Sequence, residues 1–192
     1  YPSLTKSRPI VGDNECSVIL NLDKARHFNF IKDLYSYRNK KDRLVWRVNI
    51  HQEHRAHFME KYFNHPMCDV GNVAKRGEYP GWQRPRMTIG EHLKYKFVLC
   101  IEGHDVATNL KWVMSSNSVA VMPEPKYETW FMEGRLKPDF HYICIKDDYS
   151  DLEEKLNHYI ANPEEAEKII DNAHEYVKQF MNKKDFRKTG QA

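Results

Sequence analysis

Charge of a single sign is scarce in this sequence: 30 lysines and arginines stand against 27 aspartates and glutamates, and the net charge of +3 is spread along the chain without a basic block. A nucleic-acid partner is therefore not expected. Glycine and proline are sparse, at eight and nine of 192 residues, which excludes collagen-like and low-complexity chains. No run comes near the roughly 18 consecutive apolar residues of a membrane span, and the opening residues carry no apolar leader. The four cysteines, Cys16, Cys68, Cys100 and Cys144, form no C-x-x-C pair. Two of them lie in the apolar runs FVLCI and YICIK and read as buried thiols, so a reducing compartment, the cytoplasm, is expected. G-x-S-x-G, Walker A and H-E-x-x-H patterns are missing, which lowers the serine-hydrolase, P-loop and zinc-protease readings. With 41% hydrophobic and 30% charged residues, what is left is a globular chain long enough to bury a core.

Hydrophobic patterning supplies an order of elements. Residues 17–22 (SVILNL) and 43–48 (RLVWRV) read as strands, and Phe28, Ile31 and Tyr35 recur at helical spacing within residues 26–40 between them. A helix is expected over residues 52–63 and a short apolar strand over 67–70. Residues 72–86, which include GEYPGWQRP, have no period and read as a linker, dividing the chain into units 1–85 and 86–192. Beyond it, Thr88 and Glu91 form a capping box. Residues 95–101 (YKFVLCI) make a continuous apolar strand of the kind buried in a parallel sheet. Helical character follows at 106–114, a strand at 118–122, a short aromatic helix at 127–132 and a strand at 141–146. A second capping box, Ser150 and Glu153, opens one helix, and Asn162 with Pro163 opens another that runs to about residue 180. Strands alternating with helices mean βαβ units on a parallel sheet, an α/β fold.

Three constellations carry chemistry. The strand at 95–101 ends near Gly103 and runs through His104, Asp105, Ala107, Thr108 and Asn109 to Lys111. A parallel strand that turns at glycine into a helix aims free N–H groups above the sheet edge, and Lys111 would add a point charge to that anion seat. The alternative is an ordinary βα turn with Lys111 in water. Arg47 at one strand end and Arg55 at the next helix start are expected to converge on the same crevice, where open α/β sheets bind ligands; the alternative is a surface arginine paired with a neighbouring glutamate. Glu128, set among aromatic side chains in YETWF, suits the hydroxyl pair of a ribose or sugar, unless it is a solvent-facing helix residue. His51, His54 and His57 fan too far round a helix to share one ion, so no metal is expected.

Several segments together carry a resemblance to a known family: KSRPI (6–10), NLDKARHF (21–28), Arg47 with QEHR (52–55), CDVG (68–71), EHLKYKF (91–97), EGHDVATNLKW (102–112), ETWF (128–131) and LKPDFHYI (136–143). They resemble glycosyltransferase family 90, and within it the bacterial lipopolysaccharide core-biosynthesis enzymes, relatives of protein O-glucosyltransferases and capsule-associated xylosyltransferases. The resemblance implies two Rossmann-like domains facing across a cleft, the first shortened at its N-terminus. It implies inverting, metal-independent transfer of a hexose from a UDP-sugar, without a further cofactor, to lipopolysaccharide or another surface glycan. Residues 103–111 would seat the diphosphate, Arg47 and Arg55 would face the donor, and Glu128 would lie near the nucleotide. The general-base aspartate is expected ahead of Tyr1, with Asp23 as the candidate inside the chain. Asn109 stands where the protein-glucosylating branch has arginine, and Val48 where glycine is common. Peripheral contact with the inner face of a bacterial inner membrane fits such an acceptor. A non-catalytic nucleotide- or sugar-binding module is the competing expectation.

Overall fold

A computed structural model describes residues 3–14, 16–20, 29–74 and 79–181. Its centre is a parallel sheet of β4 (Lys41–Val48), β5 (Cys68–Asn72), β6 (Tyr95–Leu99), β7 (Val119–Met122) and β9 (Ile143–Cys144), in the order β5-β4-β6-β7-β9. Apolar residues alternate between its faces because strand side chains do. Leu44, Trp46, Phe97 and Leu99 face a core closed by α1 (Glu53–Tyr62), α4 (Leu152–Ala161) and the first turns of α5 (Pro163–Lys178). Val45, Val98, Ala120 and Met122 face a second core, against α3 (Leu110–Met114) and the later turns of α5. The α/β expectation is met, with helices on both faces.

The chain places β5 outside β4 and then returns past β4 to lay down β6, so the direction of winding reverses between β4 and β6. Ligands of open α/β sheets bind in the crevice that such a reversal opens at the carboxyl ends of the two strands. The same topology bears on the division expected at 85/86. That boundary falls between β5 and β6, yet β4 pairs with both, so it runs through one sheet. Among the described residues no second Rossmann-like sheet is present. Residues 3–20 form β1 (Ser3–Thr5) parallel to β3 (Ser17–Ile19), and β2 (Arg8–Pro9) antiparallel to β8 (Tyr127–Glu128).

Local chemistry explains which expected elements form. Thr88 caps the short α2 (Ile89–His92): its Oγ1 accepts from the Glu91 N–H at 3.2 Å while Glu91 Oε2 accepts from the Thr88 N–H at 2.6 Å. The second capping box does not form, because Asp151, not Ser150, precedes α4, and its carboxylate instead accepts from the Lys146 N–H at 2.9 Å to close the preceding loop. Pro163 does open α5, but the Asn162 amide turns back to the His158 carbonyl at 2.9 Å and finishes α4. The helix expected at 26–40 is absent over residues 29–36, and residues 26–28 lie outside the described segments. Tertiary partners take the groups a helix would need: the Ile31 N–H donates to Ser115 Oγ at 3.0 Å, and the Asn117 amide donates to the Asp33 and Tyr35 carbonyls. The buried Lys40 ammonium, 2.7 Å from Asp33, pins that segment to the sheet.

Candidate functional site

The reversal between β4 and β6 carries the chemical anomaly of the molecule. Arg55, in the first turn of α1, reaches across from the β4 side to the segment that follows β6. Its Nε and Nη2 donate to the carbonyls of Glu102 and Ile101, each at 3.0 Å, and Nη1 donates to the Asn49 carbonyl at 3.3 Å. The guanidinium lies over the Trp46 ring, 5.6 Å from its centroid. Among the described residues no carboxylate is bonded to it, and burial pushes its pKa below the ordinary guanidinium value. A Cβ on Gly103 would stand 3.1 Å from Arg55 Nη2, so a side chain there would crowd this cation.

Beside it a cavity of about 350 Å³ opens above β6 and β7, lined by His54, Glu102, Gly103, His104, Asp105 and Ala107 on one wall and by residues 123–127 on the other. Tyr149 and Glu133 reach it from later segments. Its carboxylates are held in different ways. Glu133 is bonded to Lys111, and Asp147 to Lys126 at 3.1 Å. Asp105 takes Lys6 and Ser7, each at 3.0 Å, from the N-terminal segment. Among the described residues no cation is bonded to Glu102; its Oε1 accepts the N–H groups of Lys126 and Tyr127 at 3.0 and 3.2 Å. Burial raises its pKa above the usual range despite those two bonds. Sequence reasoning missed Glu102 as a lining carboxylate: a polar residue at a strand end carries no periodic signal.

Several expected site residues lie elsewhere. Lys111 is buried with 1% of its side chain exposed, 2.7 Å from Glu133 Oε1, so its ammonium is spent inside the protein and does not stand free above the turn. The helix around it covers only Leu110–Met114, not 106–114, and is too short to present the dipole expected of it. Asn109, where arginine was the alternative, donates to the Leu99 carbonyl at 2.9 Å and finishes β6. Thr108 is exposed in the turn. Glu128 belongs to β8 and not to an aromatic helix; its Oε1 accepts from Arg8 Nε at 2.8 Å, opposite Arg8 in the β2–β8 ladder. That makes Glu128 a buried clamp for the N-terminal segment. Asp23 lies outside the described residues. Among those residues no cluster of metal-ligating side chains forms.

Arg47 does not meet Arg55. It points from the other face of β4, where its Nη2 is 2.6 Å from Asp69 Oδ1 and its Nε donates to the Pro85 carbonyl at 3.1 Å. The Tyr95 hydroxyl donates to the other Asp69 oxygen at 2.5 Å. Burial alone would raise the Asp69 pKa, but the Tyr95 and Arg47 hydrogen bonds outweigh it and hold the carboxyl below its ordinary value. A carboxyl more acidic in the folded than in the unfolded chain stabilises the fold above about pH 4, and that contribution is lost as pH falls through the folded pKa. Replacing Arg47 by Met strands Asp69 and is expected to cost about 1–3 kcal/mol at neutral pH. In urea titrations the gap between parent and variant should narrow below about pH 4, as Asp69 takes a proton. A gap constant with pH would mean that Arg47 contributes packing alone.

Comparison with known proteins places these features in a lineage. Residues 26–188 match Glycosyl transferase family 90. The chain is 48% identical over 179 residues to O-glucosyltransferase LpsA of Dichelobacter nodosus, covering 93% of this chain and 56% of that protein. It is 28% identical over 144 residues to Protein O-glucosyltransferase 3 of Homo sapiens, covering 70% of this chain and 27% of that protein. A 115-residue stretch is 32% identical to Uncharacterized protein 027R of Frog virus 3, covering 57% of this chain and 12% of that protein. The chain therefore spans about half the length of the LpsA relative. The match over most of its residues, centred on the sheet and crevice just described, makes this chain a member of glycosyl transferase family 90.

Proposed function

We propose that the crevice between β4 and β6 binds a nucleoside-diphosphate sugar, with UDP as the nucleotide, and that the whole protein moves a hexose with inversion to lipopolysaccharide or another surface glycan. The observation that carries this reading is Arg55: a half-buried guanidinium that, among the described residues, is bonded to carbonyls and to no carboxylate, beside the glycine turn at the winding reversal. A partly desolvated cation with no carboxylate bonded to it among the described residues carries a cost, and an anion in the adjoining cavity offsets it. In transfer, an acceptor hydroxyl loses its proton as it attacks the anomeric carbon, and the bond to the diphosphate breaks with its electron pair on the departing oxygen. Arg55 and the N–H groups of the 103–107 turn would receive that growing charge, an electrostatic role that requires no metal. Glu102, held at the cavity wall, has an acceptor oxygen suited to ribose or sugar hydroxyls. No helix among the described residues is long and apolar enough to cross a membrane; we place the protein at the cytoplasmic face of a bacterial inner membrane, where such an acceptor is assembled.

The test is a thermal-shift comparison of UDP, GDP, ADP and CMP at fixed salt. A ligand at about 100 times its dissociation constant adds roughly 2.7 kcal/mol, which in a chain of this size moves the midpoint by roughly 5–10 °C. UDP is expected to give that shift, and EDTA to leave it intact. Chelation that abolishes the shift would refute the metal-free part. No shift with any nucleotide would refute donor binding, and donor binding by the full-length protein without turnover would favour a binding module over an enzyme.

A further inference from the structure

The N-terminal segment runs along the rim of the cavity and is tied to it at several points. Arg8 is bonded to Glu128 and to the Ser17 carbonyl, β2 pairs with β8, and the Ile10 N–H donates to the Lys126 carbonyl at 2.9 Å. Just before these ties, Lys6 Nζ and Ser7 Oγ both sit 3.0 Å from the same oxygen of Asp105, a cavity-lining residue. The other Asp105 oxygen accepts the Val106 N–H at 2.8 Å.

An aspartate in this turn is at odds with anion binding. Its charge repels a diphosphate unless something cancels it, and like-charge contacts of this kind are strongly unfavourable in a partly desolvated site. The side chain that cancels it comes from nearly a hundred residues away in sequence. The Lys6 side chain is 46% exposed, so its ammonium is held at the rim by Asp105 and is not enclosed by the core. The structure thus has a cation delivered to the rim by a clamped segment, with an acidic residue as its mooring.

We propose that Lys6 is a phosphate-binding residue of the crevice, moored on Asp105 in the free protein and shared with the diphosphate when a nucleoside diphosphate binds. The inference rests on the donor reading above. It assigns Asp105 a different part from the one implied by the family resemblance: Asp105 positions Lys6 and does not itself contact the phosphates.

Calorimetric titration of the full chain with UDP and with uridine tests it, using the parent protein, Lys6→Ala, Lys6→Arg, Asp105→Asn and the Lys6→Ala/Asp105→Asn pair. Lys6→Ala removes a cation and uncovers the Asp105 charge, so UDP affinity is expected to fall by about tenfold or more while uridine affinity holds, the worth of at least one charge-assisted hydrogen bond. Lys6→Arg should restore part of the loss. Removing the acidic mooring in the double variant should also recover part of it, because the uncovered charge is gone. Unchanged UDP binding by Lys6→Ala would overturn the assignment, as would equal losses for UDP and uridine or a lowered melting midpoint that accounts for both. Failure of the parent chain to bind UDP at all would overturn the donor reading itself, an outcome separate from either of these.

Discussion

Replacing Lys111 by alanine is expected to lower the free energy of unfolding by about 3–5 kcal/mol, the cost commonly seen when one member of a buried ion pair is removed. Lys111 and Glu133 each have 1% of their side chain exposed, 2.7 Å apart. Glu133 is further held by the Thr129 N–H at 2.6 Å and the Thr129 hydroxyl at 3.0 Å. The ammonium also lies 5.4 Å from the Phe131 ring centroid and 5.9 Å from that of Trp130. Truncation therefore leaves a carboxylate in apolar surroundings with only neutral donors. At roughly 2–4 °C per kcal/mol for a chain of this length, the midpoint should fall by roughly 6–20 °C. A Lys111→Met/Glu133→Leu pair, which removes both charges and keeps most of the volume, should regain most of the loss, since the desolvation cost of the pair disappears with it. Urea titration followed by tryptophan fluorescence measures all three. A stable Lys111→Ala variant that loses UDP but keeps uridine would reverse this reading and restore Lys111 to the phosphate role.

The contrast between Lys111 and the neighbouring strand explains how much of the molecule is legible in its sequence. YKFVLC announces β6 because a strand buried on both faces needs an unbroken apolar run, and both faces of that strand are indeed covered. The Thr88 capping box is legible for a similar reason: donor, acceptor and spacing all lie within four residues. The last helix reads correctly from Pro163, and its buried residues Ala166, Ile169, Ile170, Ala173 and Val177 fall at helical spacing. What fails is whatever depends on a partner distant in sequence. Arg8 with Glu128, Arg47 with Asp69 and Lys111 with Glu133 are pairs that no local pattern marks, and each turns an expected ligand contact into a structural bond. The turn after β6 is legible as a strand end, because the apolar run stops just before Gly103. Arg47 and Arg55 look alike in sequence; the alternation of β4 turns Arg47 away from the Trp46 face, while Arg55, carried by α1, lies over Trp46.

Replacing Arg55 by methionine is expected to weaken UDP binding by about ten- to a hundredfold and leave uridine binding nearly unchanged. A hydrogen bond to a charged partner is worth roughly 1.5–3 kcal/mol, and each 1.4 kcal/mol is a factor of ten. Two opposing effects on the free protein decide whether that comparison is clean. Losing the guanidinium releases the carbonyls of Asn49, Ile101 and Glu102, which destabilises the turn. It also removes a half-buried charge that has no bonded carboxylate among the described residues, which stabilises it. Methionine keeps the apolar stem over Trp46, so the packing under the crevice survives, and the net change in unfolding midpoint should be small beside the change in UDP affinity. Arg55→Lys keeps the charge but not the fork that spans the Ile101 and Glu102 carbonyls, and should fall between parent and methionine variant. Calorimetry with both ligands at two salt concentrations separates the cases. Loss confined to UDP and reduced in high salt fits a phosphate partner for Arg55. Equal loss for UDP and uridine means the turn has moved, and an unchanged UDP affinity means that the diphosphate lies away from the β4–β6 reversal.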